Sequence, residues 1–415
     1  MKRSVAVMIA GLLAASVAAC SPSGDNARTA DVQASGDATL RIGLILDNSG
    51  SQSFLNDSAQ AAVKLAVKEI NDAGGHKGKD VELLPVYPGR DTAEQARRMV
   101  EAKADAVIGP TDSSNVGPAV DVLAKAHTVL ISPAATANAL STYKSNGYFF
   151  RTIATDSAQA PVLVKLAKDG GAHSVAVLHE KSDYGSDVAS AVSAAIKSAG
   201  LTESTVAEFE PGAAGEAVSK IAEGKPDAVV LIARSGADGA IAELHNAGLS
   251  GKKLVLADGG LDNYGDRIAK GALEGASVLV PGAFPSAKFQ SDLVAVEPSL
   301  KDMSFAAETY DAVNLVAIAA ASAQDDAGAS IAASLIGVSG PGGPKNDGKA
   351  TECKNYKDCA ALLANGTSVD YQGQSGTVGF DSQGDVTSAN FMVFGFGTDN
   401  KPVYRSQETA GKASS

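Results

Sequence analysis

Apolar and polar positions follow two alternating periods along most of this 415-residue chain. "LRIGLIL" (40–46) is a short, nearly continuous apolar run and predicts a buried strand. "SAQAAVKLAVKEINDAGG" (58–75) instead spaces its apolar residues for a helix and stops at two glycines. Strand "VELLPVY" (81–87), helix 91–102, strand "DAVIGP" (105–110), helix 114–126 and strand "TVLI" (128–131) follow. From about residue 155 the order restarts, with helix 157–168, "SVAVLHE" (174–180), helix 187–199, "TVAEFE" (205–210) and helix 214–222. "DAVVLIA" (227–233), helix 236–247 and "KLVLAD" (253–258) complete it. Strands apolar on both faces and alternating with helices predict parallel sheets covered on both sides. Two such series predict an α/β fold of two Rossmann-like lobes, in keeping with a length that exceeds one hydrophobic core.

Beyond residue 285 the alternation breaks. Two consecutive helices (305–323 and 327–338) precede a loop rich in Gly and Pro (339–350), a cysteine pair and a final hairpin. The hairpin is read in "GTVGFDSQGDVTSANFMVFGF" with its turn near "DSQGD".

The N-terminus follows neither period. Lys2 and Arg3 precede an uncharged run from Ser4 to Ala19, short for a spanning helix but suited to a secretory signal peptide (1–19). It ends Val17-Ala18-Ala19-Cys20, which resembles a bacterial lipobox with Cys20 lipidated, and a polar tether (20–37) follows. The alternative is an ordinary signal peptide that happens to contain Cys20. Export makes Cys353 and Cys359 of "CKNYKDC" a disulfide pair, contributing roughly 2 kcal/mol through so short a loop. With a net charge of −12 and no basic block, nucleic acid is excluded as a partner.

Two strand ends carry polar chemistry. "ISPAAT" (131–136) and "IGPTDSS" (108–114) both offer hydroxyls and backbone N–H groups at the carboxyl end of a strand, where open parallel sheets bind ligands. That combination suits a carboxylate, or else Ser113, Ser114 and Thr136 simply cap their own helices. Elsewhere the chain lacks a nucleophile elbow, a zincin helix, a phosphate loop and a dinucleotide turn, so no catalysis, cofactor or metal is expected. The five histidines (76, 127, 173, 179, 245) read as surface or helix-end residues, and "DNSGSQ" (47–52) lacks the positions of a calcium loop.

"EINDAGGHKGKDVEL", "VIGPTDSSNVGPAV", "ISPAATANAL" and "YQGQSGTVGFDSQGDV", in this order, resemble the periplasmic branched-chain amino-acid-binding (leucine-binding) family, from about Leu40 to Phe396. The resemblance implies a periplasmic-binding-protein-like, type I fold whose lobes close over an amino acid about a three-segment hinge. Crossings are expected near 153–156, 281–285 and 386–390. The N-terminal lobe is then 38–153 plus 284–388, the C-terminal lobe 154–283 plus 389–405, and 406–415 a tail. It also implies that Ser113, the Ala134 backbone and Thr136 bind the ligand carboxylate, that Tyr184 packs on the ligand, and that Asp258 takes the ammonium. Gly259 is the aligned place for that last role, and Asp262 is an alternative. Arg234 departs from relatives that bind aliphatic side chains. In the cleft it points to a polar or acidic ligand; otherwise it pairs on the surface with Asp238. The loop 47–57 departs too, offering Phe54 or Leu55 in place of the family's aromatic. The implied role is a monomeric, lipid-anchored envelope protein that passes an amino acid or relative to an ABC permease. A sensory lipoprotein, or a binder of amides, urea or short peptides, is the alternative.

Overall fold

The computed structural model describes residues 36–47, 53–87, 91–340 and 350–411. The signal peptide, Cys20 and most of the tether, together with part of the first loop and of the Gly/Pro loop, lie outside the described residues.

In the first lobe β1 (Arg41–Leu44), α1 (Asn56–Asp72), β2 (Glu82–Leu83), α2 (Thr92–Glu101), β3 (Ala106–Ile108), α3 (Ser113–Leu123), β4 (Val129–Ser132) and β5 (Phe149–Arg151) follow in order. The five strands form one parallel sheet in the order β2-β1-β3-β4-β5. β3, β4 and β5 are buried throughout because helices cover both faces, which is why β3 and most of β4 read as apolar runs.

The second lobe runs α4 (Ala160–Asp169), β6 (Ser174–Glu180), α5 (Asp183–Ser198), β7 (Thr202–Phe209), α6 (Gly215–Glu223), β8 (Ala228–Ile232), α7 (Ala237–Asn246), β9 (Leu254–Leu256) and β10 (Ser277–Pro281). After β10 the chain returns to the first lobe with α8 (Ala287–Val296), α9 (Ala306–Ala323), α10 (Gly328–Val338), β11 (Thr351–Cys353), α11 (Tyr356–Ala364), β12 (Val369–Gly373) and β13 (Gly376–Thr377). It ends with β14 (Ser388–Phe396) and β15 (Pro402–Gly411). The second sheet therefore has seven strands, β15-β14-β10-β9-β8-β6-β7, with β14 and β15 antiparallel to their neighbours. Three connections join the two sheets: after Arg151, after Pro281 and before Ser388.

Several expectations need correction. The final hairpin is β14–β15, not the pair flanking "DSQGD". That segment is a tight turn, closed by the Asp381 N–H on Asp385 O at 2.9 Å and anchored where the Arg151 N–H donates to Gly384 O at 3.0 Å. Residues 406–411 of the expected tail are part of β15, which pairs with β14 as far as Gly411. α8 and the small sheet β11-β12-β13 fall where the sequence showed no alternation. Gly36 and Asp37, at the end of the expected tether, are held by the Asp325 and Asp326 carboxylates. His76 and His179 are buried, not surface residues. The Cys353–Cys359 disulfide is formed, tying the end of β11 to α11. α9 is buried from Ala306 to Ala320 and packs on α1 and α10. No helix among the described residues is long and apolar enough to cross a membrane.

Candidate functional site

The site lies where the strand ends of the two sheets face each other. On the first lobe, buried Asp47, just past β1, accepts from the Thr111 N–H (2.9 Å), the Thr111 hydroxyl (2.5 Å), the Asp112 N–H (3.1 Å) and Asn115 Nδ2 (2.6 Å). This fixes the loop after β3. Asp112 then caps α3 by accepting from the Ser114 N–H at 2.9 Å, so neither Ser113 nor Ser114 is the cap. The freed Ser113 hydroxyl instead accepts from the Ala137 N–H at 3.2 Å, tying together the two loops singled out in the sequence.

The second loop is held from beneath. Ser132 donates to Pro110 O (2.6 Å) and accepts from the Ala135 N–H (3.1 Å). Arg151, fully buried, donates to Ala135 O (3.1 Å), Ala137 O (2.8 Å) and Ser141 Oγ (2.7 Å), and its Nε meets Asp385 at 2.7 Å. With those carbonyls drawn onto a guanidinium, the Ala134 and Thr136 N–H groups have no protein acceptor among the described residues. Unpaired N–H groups at a strand end form a concavity that suits an anion.

On the second lobe, buried Glu180 closes β6 and accepts from the Arg234 N–H (2.8 Å), the Ser235 N–H (2.6 Å) and the Ser182 hydroxyl (2.8 Å). That geometry launches the Arg234 side chain toward the first lobe. Its guanidinium lies 3.7 Å over the centroid of the Tyr184 ring. Its Nη2 stands 3.0 Å from Asp156, 3.5 Å from Asp258 and 3.5 Å from Thr136 Oγ1. Tyr184, in the first turn of α5, donates to Asp258 Oδ1 at 2.5 Å, and Gln159 donates to the same oxygen at 2.8 Å. A Cβ on Gly259 would sit 2.5 Å from Arg234 Cγ and 2.8 Å from Ala233 O, so only glycine lets the arginine lie across this strand end.

Thr136, Tyr184, Arg234 and Asp258 are thus brought into one cluster, while Ser113 and Ala134 form the adjoining wall. Asp262 is not part of it: it pairs with Arg267 at 2.5 Å, half-exposed, and Asp238 pairs with the same arginine at 3.3 Å. The surface pairing of Arg234 with Asp238 is therefore absent. Leu55 is buried and Phe54 exposed. Asp47, Arg151, Asp156, Gln159 and Glu180 were not singled out from sequence. Asp47 and Glu180 did carry a signal, an acidic residue closing an apolar strand, but Asp156 lies in the connection before the expected helix 157–168, and Gln159, inside that expected helix, sits in a 3-10 turn ahead of α4.

Burial and the Asp258 charge push Asp156 up to about 6 against the opposing pull of Arg234. Burial also raises the Tyr184 phenol well above its ordinary range, keeping it a hydrogen-bond donor. Burial opposes the charge on Arg234, but the Asp258 and Asp156 carboxylates outweigh it and raise its pKa.

Comparison with known proteins agrees with this architecture. A family model described as periplasmic binding protein matches residues 39–357. The leucine-, isoleucine-, valine-, threonine- and alanine-binding protein of Pseudomonas aeruginosa is 27% identical over 372 residues, covering 86% of this chain and 89% of that protein. The substrate-binding protein BasB of a chemotactic signal transduction system in Halobacterium salinarum is 26% identical over 367 residues, covering 85% and 84%. The isoleucine complex of a branched-chain amino acid transporter substrate-binding protein from Streptococcus pneumoniae superposes with a TM-score of 0.62 at 22% identity, covering 90% of this chain and 99% of that one. The chain belongs to the periplasmic binding protein family, in its branched-chain amino-acid-binding branch.

Proposed function

We propose that this protein captures an amino acid or a close acid relative between its lobes, polar or acidic where the ligand meets Arg234, and delivers it to an ABC permease. Ser113, Ala134 and Thr136 hold one carboxylate in this reading, while Tyr184, Arg234 and Asp258 form the opposing wall. The observation that carries it is the state of Arg234. Only its Nη2 is committed to protein acceptors, while Nη1 and Nε have none among the described residues. Stacked on Tyr184 and pinned at one nitrogen, the guanidinium is pre-organised to receive an oxygen ligand. Charge-assisted hydrogen bonds of this kind contribute about 1.5–3 kcal/mol each. A ligand touching both walls favours the arrangement in which the lobes meet, the state a permease recognises.

Isothermal calorimetry tests the reading. Glutamate is expected to bind more tightly than leucine, and Arg234→Ala to weaken glutamate by at least about tenfold. Tighter leucine binding that is indifferent to Arg234→Ala would defeat it.

Lipidation of Cys20 completes the proposal, on the strength of the preceding Val17-Ala18-Ala19. Cys20→Ala should move the protein from the membrane fraction to the soluble one. No change in partitioning would argue for an ordinary signal peptide. A sensory role is the second reading, favoured by the chemotactic assignment of the Halobacterium relative.

A further inference from the structure

Asp156 and Asp258 face the cleft from the second-lobe side, the side on which a bound amino acid would present its ammonium. Both are already satisfied by the protein. Asp258 Oδ1 accepts from Tyr184 and Gln159, its Oδ2 faces Arg234, and its backbone N–H is taken by Gln159 Oε1 at 3.1 Å. Asp156 faces Arg234 Nη2 through Oδ1, and the Thr136 hydroxyl stabilises its charged form. One cation, supplied by the chain itself, therefore sits between the two carboxylates. The uncommitted groups at this end are donors, Nη1 and Nε of Arg234, and the uncommitted groups at the opposite wall, the Ala134 and Thr136 N–H groups, are donors too.

We infer that Arg234 stands in for a ligand ammonium between Asp156 and Asp258, so that the preferred ligand is an acid without an α-ammonium, carrying a carboxylate at one end and a second carboxylate or carbonyl oxygen at the other. The inference rests on the proposed carboxylate pocket and narrows its ligand class. An incoming ammonium must expel a guanidinium that is stacked on Tyr184 and bonded to two carboxylates, exchanging one charged contact for another. It would also leave Arg234 without its partners in a half-buried site. An oxo or unsubstituted acid displaces nothing. Gly259 supports this assignment: the space an acidic side chain would fill at that position is occupied by Arg234.

The experiment is calorimetry on the full chain with ligands matched in skeleton: L-glutamate against 2-oxoglutarate and glutarate, and L-leucine against 4-methyl-2-oxopentanoate. The acid lacking the ammonium is expected to bind at least about tenfold more tightly than its amino partner, a difference of about 1.4 kcal/mol. Arg234→Gln, which releases both aspartates, should reverse the preference, and Arg234→Lys, which keeps a cation, should preserve it. A glutamate affinity exceeding that of 2-oxoglutarate in the wild-type chain overturns this inference and leaves the carboxylate pocket standing. Failure of every one of these acids to bind overturns both.

Discussion

Burial, the Asp258 charge and the Arg234 guanidinium act on Asp156 together, and the first two prevail, so its carboxyl is pushed up to about 6. Near neutral pH it is ionised and draws on the charge of Arg234; below about 6 it takes up a proton and releases that charge. An anionic ligand at Arg234 favours the protonated form, so binding is linked to proton uptake. Affinity for a carboxylate ligand is thus expected to rise as pH falls from 7.5 toward 5.5. Calorimetry at pH 6 in buffers of differing ionisation enthalpy should detect protons entering the complex. Asp156→Asn should abolish both effects, and uptake that persists in this variant would place the proton elsewhere. At this scale the sequence was informative where a residue closes a strand. Arg234 and Asp258 each follow an apolar run directly and Thr136 lies in the short loop just beyond one, and a strand end has a defined position. Asp156 was invisible because it reaches the cleft from a 3-10 turn (Asp156–Gln159), whose position depends on how the lobes are joined.

Two elements distant in sequence meet at Arg151. The guanidinium at the end of β5 draws in the carbonyls of the Ala134–Ala137 loop while Asp385, from the "DSQGD" turn, balances its charge with 1% exposure. Replacing one partner of a buried pair leaves the other uncompensated, at a cost of about 3–5 kcal/mol. Arg151→Met should therefore lower the unfolding free energy obtained from urea titration by that amount and weaken ligand binding as well, since the Ala134 and Thr136 N–H groups lose the support that holds them. An unfolding free energy within about 1 kcal/mol of wild type would mean that the loop holds its own shape. The same pair explains which elements were legible. Parallel strands covered on both faces announce themselves as apolar runs, and β1, β3, β4, β6, β8 and β9 all did. β5, with three residues ending in a buried arginine, broke that pattern, and β15 did so because its exposed edge carries Arg405, Gln407 and Glu408. Its place is set by hairpin pairing with β14, not by its own composition.

For the whole molecule the controlling region is where the connections between the lobes converge on Glu308, in the first turn of α9. Glu308 Oε1 accepts from the Ala283 N–H at 3.0 Å on the segment leaving β10, and Glu308 O accepts from the Thr152 hydroxyl at 2.9 Å on the segment leaving β5. Beside them, Gly282 adopts a φ of +115°, and a Cβ there would approach Glu308 Oε1 to 3.2 Å. One fully enclosed side chain thus fixes the relative position of two interlobe segments, an arrangement that suits a pivot. Burial raises this carboxyl to about 7, so between about 4.5 and 7 the folded protein holds a proton that the unfolded chain has lost. Stability contributed by that proton is present at low pH and falls as pH rises through the window, because the folded state binds more protons there. Glu308→Gln keeps an acceptor for the Ala283 N–H but has nothing to ionise. The variant is expected to lose less melting temperature than the wild type between pH 5 and pH 8, with the two curves separating chiefly between pH 5 and pH 7 and running parallel above that. Parallel curves would show that the Glu308 carboxyl does not titrate within this range, and that the pivot rests on geometry alone.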